Sequence, residues 1–202
     1  IGYDALVYSY TFLGLFREAE TVVQRASEHK LGGGPSFLVS RYKIAVFKGD
    51  KDEMDRAVAL ARGKRAAEHW MAHEEALVLA RSGRLQDARR ASNRAIELAL
   101  QEEAREEAAS YKAARAVWEA VSGNGAEGKR NAMAALELSN AREVEYAAGL
   151  ALAFSGETSR SEGLAGDLEK RFPEDTFVKF TYVPVLRALA ALERSKPADS
   201  VE

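Results

Sequence analysis

Five glycines constrain this chain more than any other feature. Gly14, Gly49, Gly83, Gly123 and Gly156 each separate two stretches of helix-forming residues, at intervals of 35, 34, 40 and 33 residues. Each is followed at plus five by Ala19, Met54, Ala88, Gly128 or Ser161, four of which are small. At plus twelve stand Ala26, Ala61, Ala95, Ala135 and Leu168. A glycine ends a helix readily because it accepts a left-handed backbone without a Cβ clash. Plus five and plus twelve differ by seven, so they share one face of the helix that follows. Small side chains there admit a closely packed partner. The spacing therefore predicts helical hairpins that turn at each glycine. Seven residues before each glycine, Val7, Tyr42, Ala76, Ala116 and Gly149 mark the same site on the first helix. At plus four stand Glu18, Glu53, Asp87 and Glu127, acids that suit the first turn of a helix, and then Arg160.

The composition agrees. Only four prolines interrupt 202 residues, and alanine, leucine, glutamate and arginine dominate. "SFLVSRYKIAVF" is the nearest strand candidate, but its flanks are helical, so the chain reads as all-α. A net charge of −2 creates no strong positive field for nucleic acid or anionic lipid. Cysteine is absent, which excludes disulfides and thiolate metal sites and fits a reducing cytoplasm. No transmembrane run is expected from the sequence, and no signal peptide is visible in it. Ile1 falls inside an amphipathic pattern, and the chain reads as a piece of a longer protein.

The hairpin pattern resembles the tetratricopeptide repeat, a helix–turn–helix unit. The best copy is "YDALVYSYTFLGLFREAETVVQRASEHKL", with Tyr3, Leu6 and Tyr10 on the first helix, then Gly14, Ala19 and Ala26. Pro173 in "KRFPED" stands where that family places its repeat-ending proline. The resemblance covers roughly residues 1–173. Arg41, Glu75 and Arg115 depart from it at a usual leucine site. The interval of 40 adds about six residues, about 1.7 turns, divided between the helices that meet at "LALQEEAREEA". The resemblance implies a right-handed superhelix of about eleven helices, five hairpins and a final helix, over residues 1–194, with a polar tail at 195–202. It implies a bacterial, cytoplasmic, non-catalytic scaffold or regulatory module for protein or peptide partners. Its concave face would carry Tyr8, Phe12, Lys43, Phe47, Trp70, His73, Leu77, Arg81, Val117, Tyr146, Leu150 and Phe154. The stretch "GLALAFSGETSRSEGLAGDLEKRFPEDTFVKFTYVPVLRALAAL", residues 149–192, also resembles the C-terminal repeat region of certain bacterial eukaryotic-type serine/threonine kinases, which implies a catalytic domain upstream.

Other motifs have plainer readings. "GNGAEG" follows a helix rather than a strand, and Gly123 and Gly128 fall on the repeat, so it reads as a turn and not a dinucleotide loop. "KLGGGPS" lacks the lysine–serine/threonine ending of a phosphate loop and reads as a linker, with Pro35 at a helix start. His69 and His73 share a helix face, but no third zinc ligand stands near them. Arg84, Arg89, Arg90 and Arg94 spread around a helix beside acids and read as a solvated face. Neither a cofactor nor a metal is expected. RNA binding by a helical repeat is the remote alternative and would need a basic groove.

The end of the chain carries its own expectation. Asp175 or Thr176 starts a helix, and Phe177, Phe180, Val183, Leu186 and Leu189 form its apolar stripe. Pro184 should kink or restart that helix. The stripe would cap the last hairpin, with Lys179, Arg187 and Glu193 toward water, or would serve self-association.

Overall fold

The computed structural model describes residues 2–29, 31 and 33–193. Among them there is no strand. The helices run α1 (Tyr3–Phe12), α2 (Phe16–Glu28), α3 (Pro35–Lys48), α4 (Lys51–Ala61), α5 (Ala67–Arg81), α6 (Leu85–Gln101), α7 (Arg105–Val121), α8 (Gly125–Leu136), α9 (Arg142–Phe154) and α10 (Thr158–Arg171). A π-helical turn, Val178–Tyr182, leads into α11 (Val183–Glu193). None of these helices is long and apolar enough to cross a membrane. The expected polar tail at 195–202 and the side chain of Glu193 lie outside the described residues.

All five expected turns form, and they form alike. Gly14, Gly49, Gly83, Gly123 and Gly156 have φ between 69° and 83°. In each case the residue after the glycine donates its N–H to the carbonyl five residues before it. The pairs are Leu15 to Tyr10, Asp50 to Ala45, Arg84 to Leu79, Asn124 to Glu119 and Glu157 to Leu152, at 2.8–2.9 Å. This is the 6→1 bond of a Schellman turn, which satisfies a helix-end carbonyl. That same residue opens the next helix: its carbonyl accepts the N–H of the plus-five residue. Two helices are thus joined with almost no loop and must lie side by side.

What they bury follows the spacing. The plus-twelve residues Ala26, Ala61, Ala95, Ala135 and Leu168 are all buried, as are Ala19, Ala88, Gly128 and Ser161 at plus five. Met54 is partly buried. On the first helices, Val7, Tyr42, Ala76, Ala116 and Gly149 are buried as well.

The chain divides between Glu102 and Glu103 into two compact units. In the first, α1 pairs with α2, α3 with α4 and α5 with α6, and the first helices α1, α3 and α5 also touch in succession. Its core gathers Val7, Phe37 and Ile44 in one cluster and Leu38, Val39, Tyr42 and Met71 in another. The α4–α5 linker is fastened to the end of α6. There, Glu102 accepts the N–H of Ala66 at 2.8 Å, and Ala66 holds a left-handed φ of 61°. In the second unit, α7 pairs with α8 and α9 with α10, α7 touches α9, and α9 touches α11. Its core is rich in alanine, with Ala116, Ala132, Ala148 and Leu152 together. The six extra residues of the longest glycine interval lengthen α6 and α7 to 17 residues each.

Two of the three charged departures at the leucine sites are met by charge pairing. Arg41 on α3 pairs with Glu53 on α4. Arg115 lies 3.7 Å from Glu119 one turn on, and Asn124 donates to the fully buried Glu119 carboxylate at 3.1 Å. Glu75 is partly buried, and burial raises its carboxyl pKa although Arg94 and Arg62 oppose the shift.

The last segment corrects one expectation. Asp175 caps its start by accepting the N–H of Val178 at 3.0 Å, and Pro184 falls at the restart, in the first turn of α11. The buried face, however, is Val178, Val183, Leu186 and Ala190, while Phe177 and Phe180 are 62% and 70% exposed. The π-helical turn adds a residue before the pattern resumes, so the stripe steps from 178 to 183 and the two phenylalanines rotate outward. The corrected stripe packs with Ala165 and Leu168 and so covers the last hairpin. Lys179 and Arg187 face outward, and Arg187 pairs with Glu169 at 2.6 Å.

Three substitutions test this packing. A Cβ on Gly128 would stand 2.8 Å from the Ala120 Cβ and 3.1 Å from the Ala116 carbonyl. Gly128→Ala should therefore lower the urea-derived stability by about 1–3 kcal/mol. Gly163→Ala, in α10 where nothing lies within 4 Å, should raise it by about 0.5–1 kcal/mol. Ala95 is fully buried, and Ala95→Leu should cost about 1–3 kcal/mol by the same measurement.

Candidate ligand groove

The first helices carry a second regular feature. Residues six and two before each turn glycine are one helical turn apart, so they share a face distinct from the buried minus-seven site. In the first unit these pairs are Tyr8 and Phe12, Lys43 and Phe47, and Leu77 and Arg81. All six line one groove of about 420 Å³, together with Thr11, Tyr42 and Glu74 among others. That volume suits several side chains of a ligand rather than a single ion. Tyr8 is 52% exposed, Phe12 81% and Phe47 66%. The Tyr8 and Phe12 rings stack with centroids 6.4 Å apart. Phe47 leans on Phe16 of α2 at 4.3 Å, which limits its ring to one side of the groove.

Charge within the groove is unevenly compensated. The Lys43 ammonium lies 2.9 Å from the Glu74 carboxylate, which also accepts the Trp70 indole N–H at 3.2 Å. Glu74 is nearly buried, so this pair is a fixed part of the wall. Arg81 is exposed at the end of α5, and no ion pair joins it to an acid among the described residues. The buried Tyr42 phenol is held protonated: burial raises its pKa well above the ordinary range, and Glu75, Glu74 and Asp55 add to the effect.

Two expected face residues sit behind this surface. Trp70 packs against the Leu38–Met71 core cluster. His73 is partly buried, and its pKa is lowered to about 4 by burial first, then by the charges of Lys43 and His69. In the second unit, Tyr146 stacks on Tyr182 at 3.9 Å with an interplanar angle of 6°, and Leu150 packs against the same cluster as Leu186. Val117 packs beside Ala116, and Phe154 remains 45% exposed. Glu74, the residue that neutralises Lys43, has no signal in the sequence, because the two are 31 positions apart on different helices. Tyr42 was not expected here either, because its minus-seven position marks the buried face of α3.

The other candidates have structural partners. His69 is buried with its Nε2 3.7 Å from Glu102. No group of three metal-ligating side chains occurs among the described residues. Arg84 and Arg90 both pair with Asp87, whose carboxyl pKa is lowered chiefly by the hydrogen bond from Arg84. Arg94 pairs with Glu68. The glycines of "GNGAEG" serve the turn and the first half of α8.

No protein-family model matches this chain, and no curated protein or solved structure matches it either. The class that the coordinates define is an all-helical chain of consecutive hairpins.

The buried imidazole gives a pH test. Unfolded, His73 takes a proton near its ordinary 6.5; folded, it resists until about 4. Its contribution to stability is thus fully present above pH 6.5 and is lost as pH falls through that window. His73→Gln should remove this component. The melting temperature of the unsubstituted chain should fall relative to the variant between pH 7 and pH 4.5, roughly the interval in which only the unfolded imidazole is protonated.

Proposed function

We propose that the chain is a tetratricopeptide-type repeat module that binds a protein or peptide segment in the groove of its first unit. The observation that carries this reading is the repeated pair of groove residues. Equivalent positions on α1, α3 and α5 present Tyr8 and Phe12, Lys43 and Phe47, and Leu77 and Arg81 to one concavity. Phe12 and Phe47 contribute little to the core, since most of each ring is exposed. Large exposed aromatics in a concave site are the side chains that anchor binding partners. The shared glycine, plus-five and plus-twelve positions support the repeat assignment. The role is that of a non-catalytic scaffold or regulatory segment, since the groove offers shape and anchors rather than a nucleophile paired with a base.

Panning a displayed library of short random peptides on the unsubstituted chain tests this. Phe12→Ala combined with Phe47→Ala should weaken the enriched peptides about tenfold while leaving the thermal midpoint nearly unchanged. Enriched peptides that bind the double variant with equal affinity would place binding elsewhere.

A further inference from the structure

The spacing and charge of the groove define the conformation and chemistry of its occupant. We infer that the groove selects a peptide in the polyproline II conformation, with two apolar side chains and one acidic side chain at successive third positions. This rests on the groove being a peptide site.

The anchors occupy equivalent offsets from the turn glycines on three helices that touch in succession, α1, α3 and α5, and they line one groove. Packed helices lie about 8–10 Å apart. A polyproline II segment rises 3.1 Å per residue and has three residues per turn, so every third side chain returns to the same face after about 9 Å. A flat β-strand does not match, because its third residue points to the opposite face. Polyproline II also leaves its backbone solvated and requires no edge partner. Helices supply none, because their backbone groups are already bonded. Aromatic walls that grip such a segment are available in Tyr8, Phe12 and Phe47.

Charge then orders the side chains. Phe12 and Tyr8 at α1 offer only aromatic surface and one hydroxyl. At α3 the Lys43 charge is already met by Glu74 at 2.9 Å, which leaves Phe47 as the anchor. At α5 the equivalent of those phenylalanines is Arg81, exposed and without an ion pair among the described residues. The occupant is therefore apolar over α1, apolar over α3 and acidic over α5.

The probes are synthetic Ac-Leu-Pro-Pro-Leu-Pro-Pro-Asp-NH2, its reversed sequence, and the same two peptides with Asn or Lys in place of Asp. Both directions are included because a three-residue repeat presents the same face either way. Titration calorimetry at low salt should show the Asp peptide, in one direction, binding about 3-fold tighter than its Asn counterpart, the range of an exposed ion pair. Arg81→Glu should invert the order, with the Lys peptide then tightest, at an unchanged melting temperature. Asp and Asn peptides of equal affinity that are both weakened by Phe12→Ala would overturn the charge selection while leaving the peptide groove intact. Absence of binding by every probe at millimolar concentration would overturn the inference, and the random-library experiment then decides the groove separately.

Discussion

The bond from the residue after each turn glycine to the carbonyl five positions back is the constraint on which the rest depends. It closes the first helix and opens the second within three residues. With no loop to spare, the paired helices must touch along their lengths. Small side chains suit that approach, hence the four buried alanines at plus twelve and the Cβ-sized contacts around Gly128. The turn thus determines the core composition. Alanine contributes little apolar area per residue, and the cores compensate with larger groups between neighbouring hairpins, such as Phe37, Met71 and Leu186.

Much of this was legible in the sequence, since the turns and pair contacts depend on residue type at fixed offsets. The five glycines, the plus-twelve alanines and the lengthening at the interval of 40 follow from spacing alone. The phenylalanines at 177 and 180 did not. Their placement depends on a π-helical turn, and a single added residue moves an apolar side chain from the core face to solvent without changing the composition of the stripe. The division at Glu102 was marked only by the longest interval.

The groove was partly legible for a related reason. Tyr8, Phe12, Lys43, Phe47, Leu77 and Arg81 occupy the two offsets that face it. Trp70 and His73 lie one or two turns earlier on α5, where the same helix turns toward the core. Tyr146 lies one turn before the minus-six position of α9, and there the segment from Val178 onward lies over it and Leu150. Periodicity assigns a residue to a face of its own helix. It does not say which neighbour arrives to cover that face.

The turns are closed by main-chain atoms, so the residue after each glycine is unrestricted: leucine, aspartate, arginine, asparagine and glutamate all stand there. A junction that asks nothing of its side chain is a natural seam for recombination. A duplication or exchange of hairpins cut at these points would inherit the same backbone joint, whatever sequences it brought together. The groove-facing positions, which make no contribution to that joint, are then free to diversify within an inherited frame.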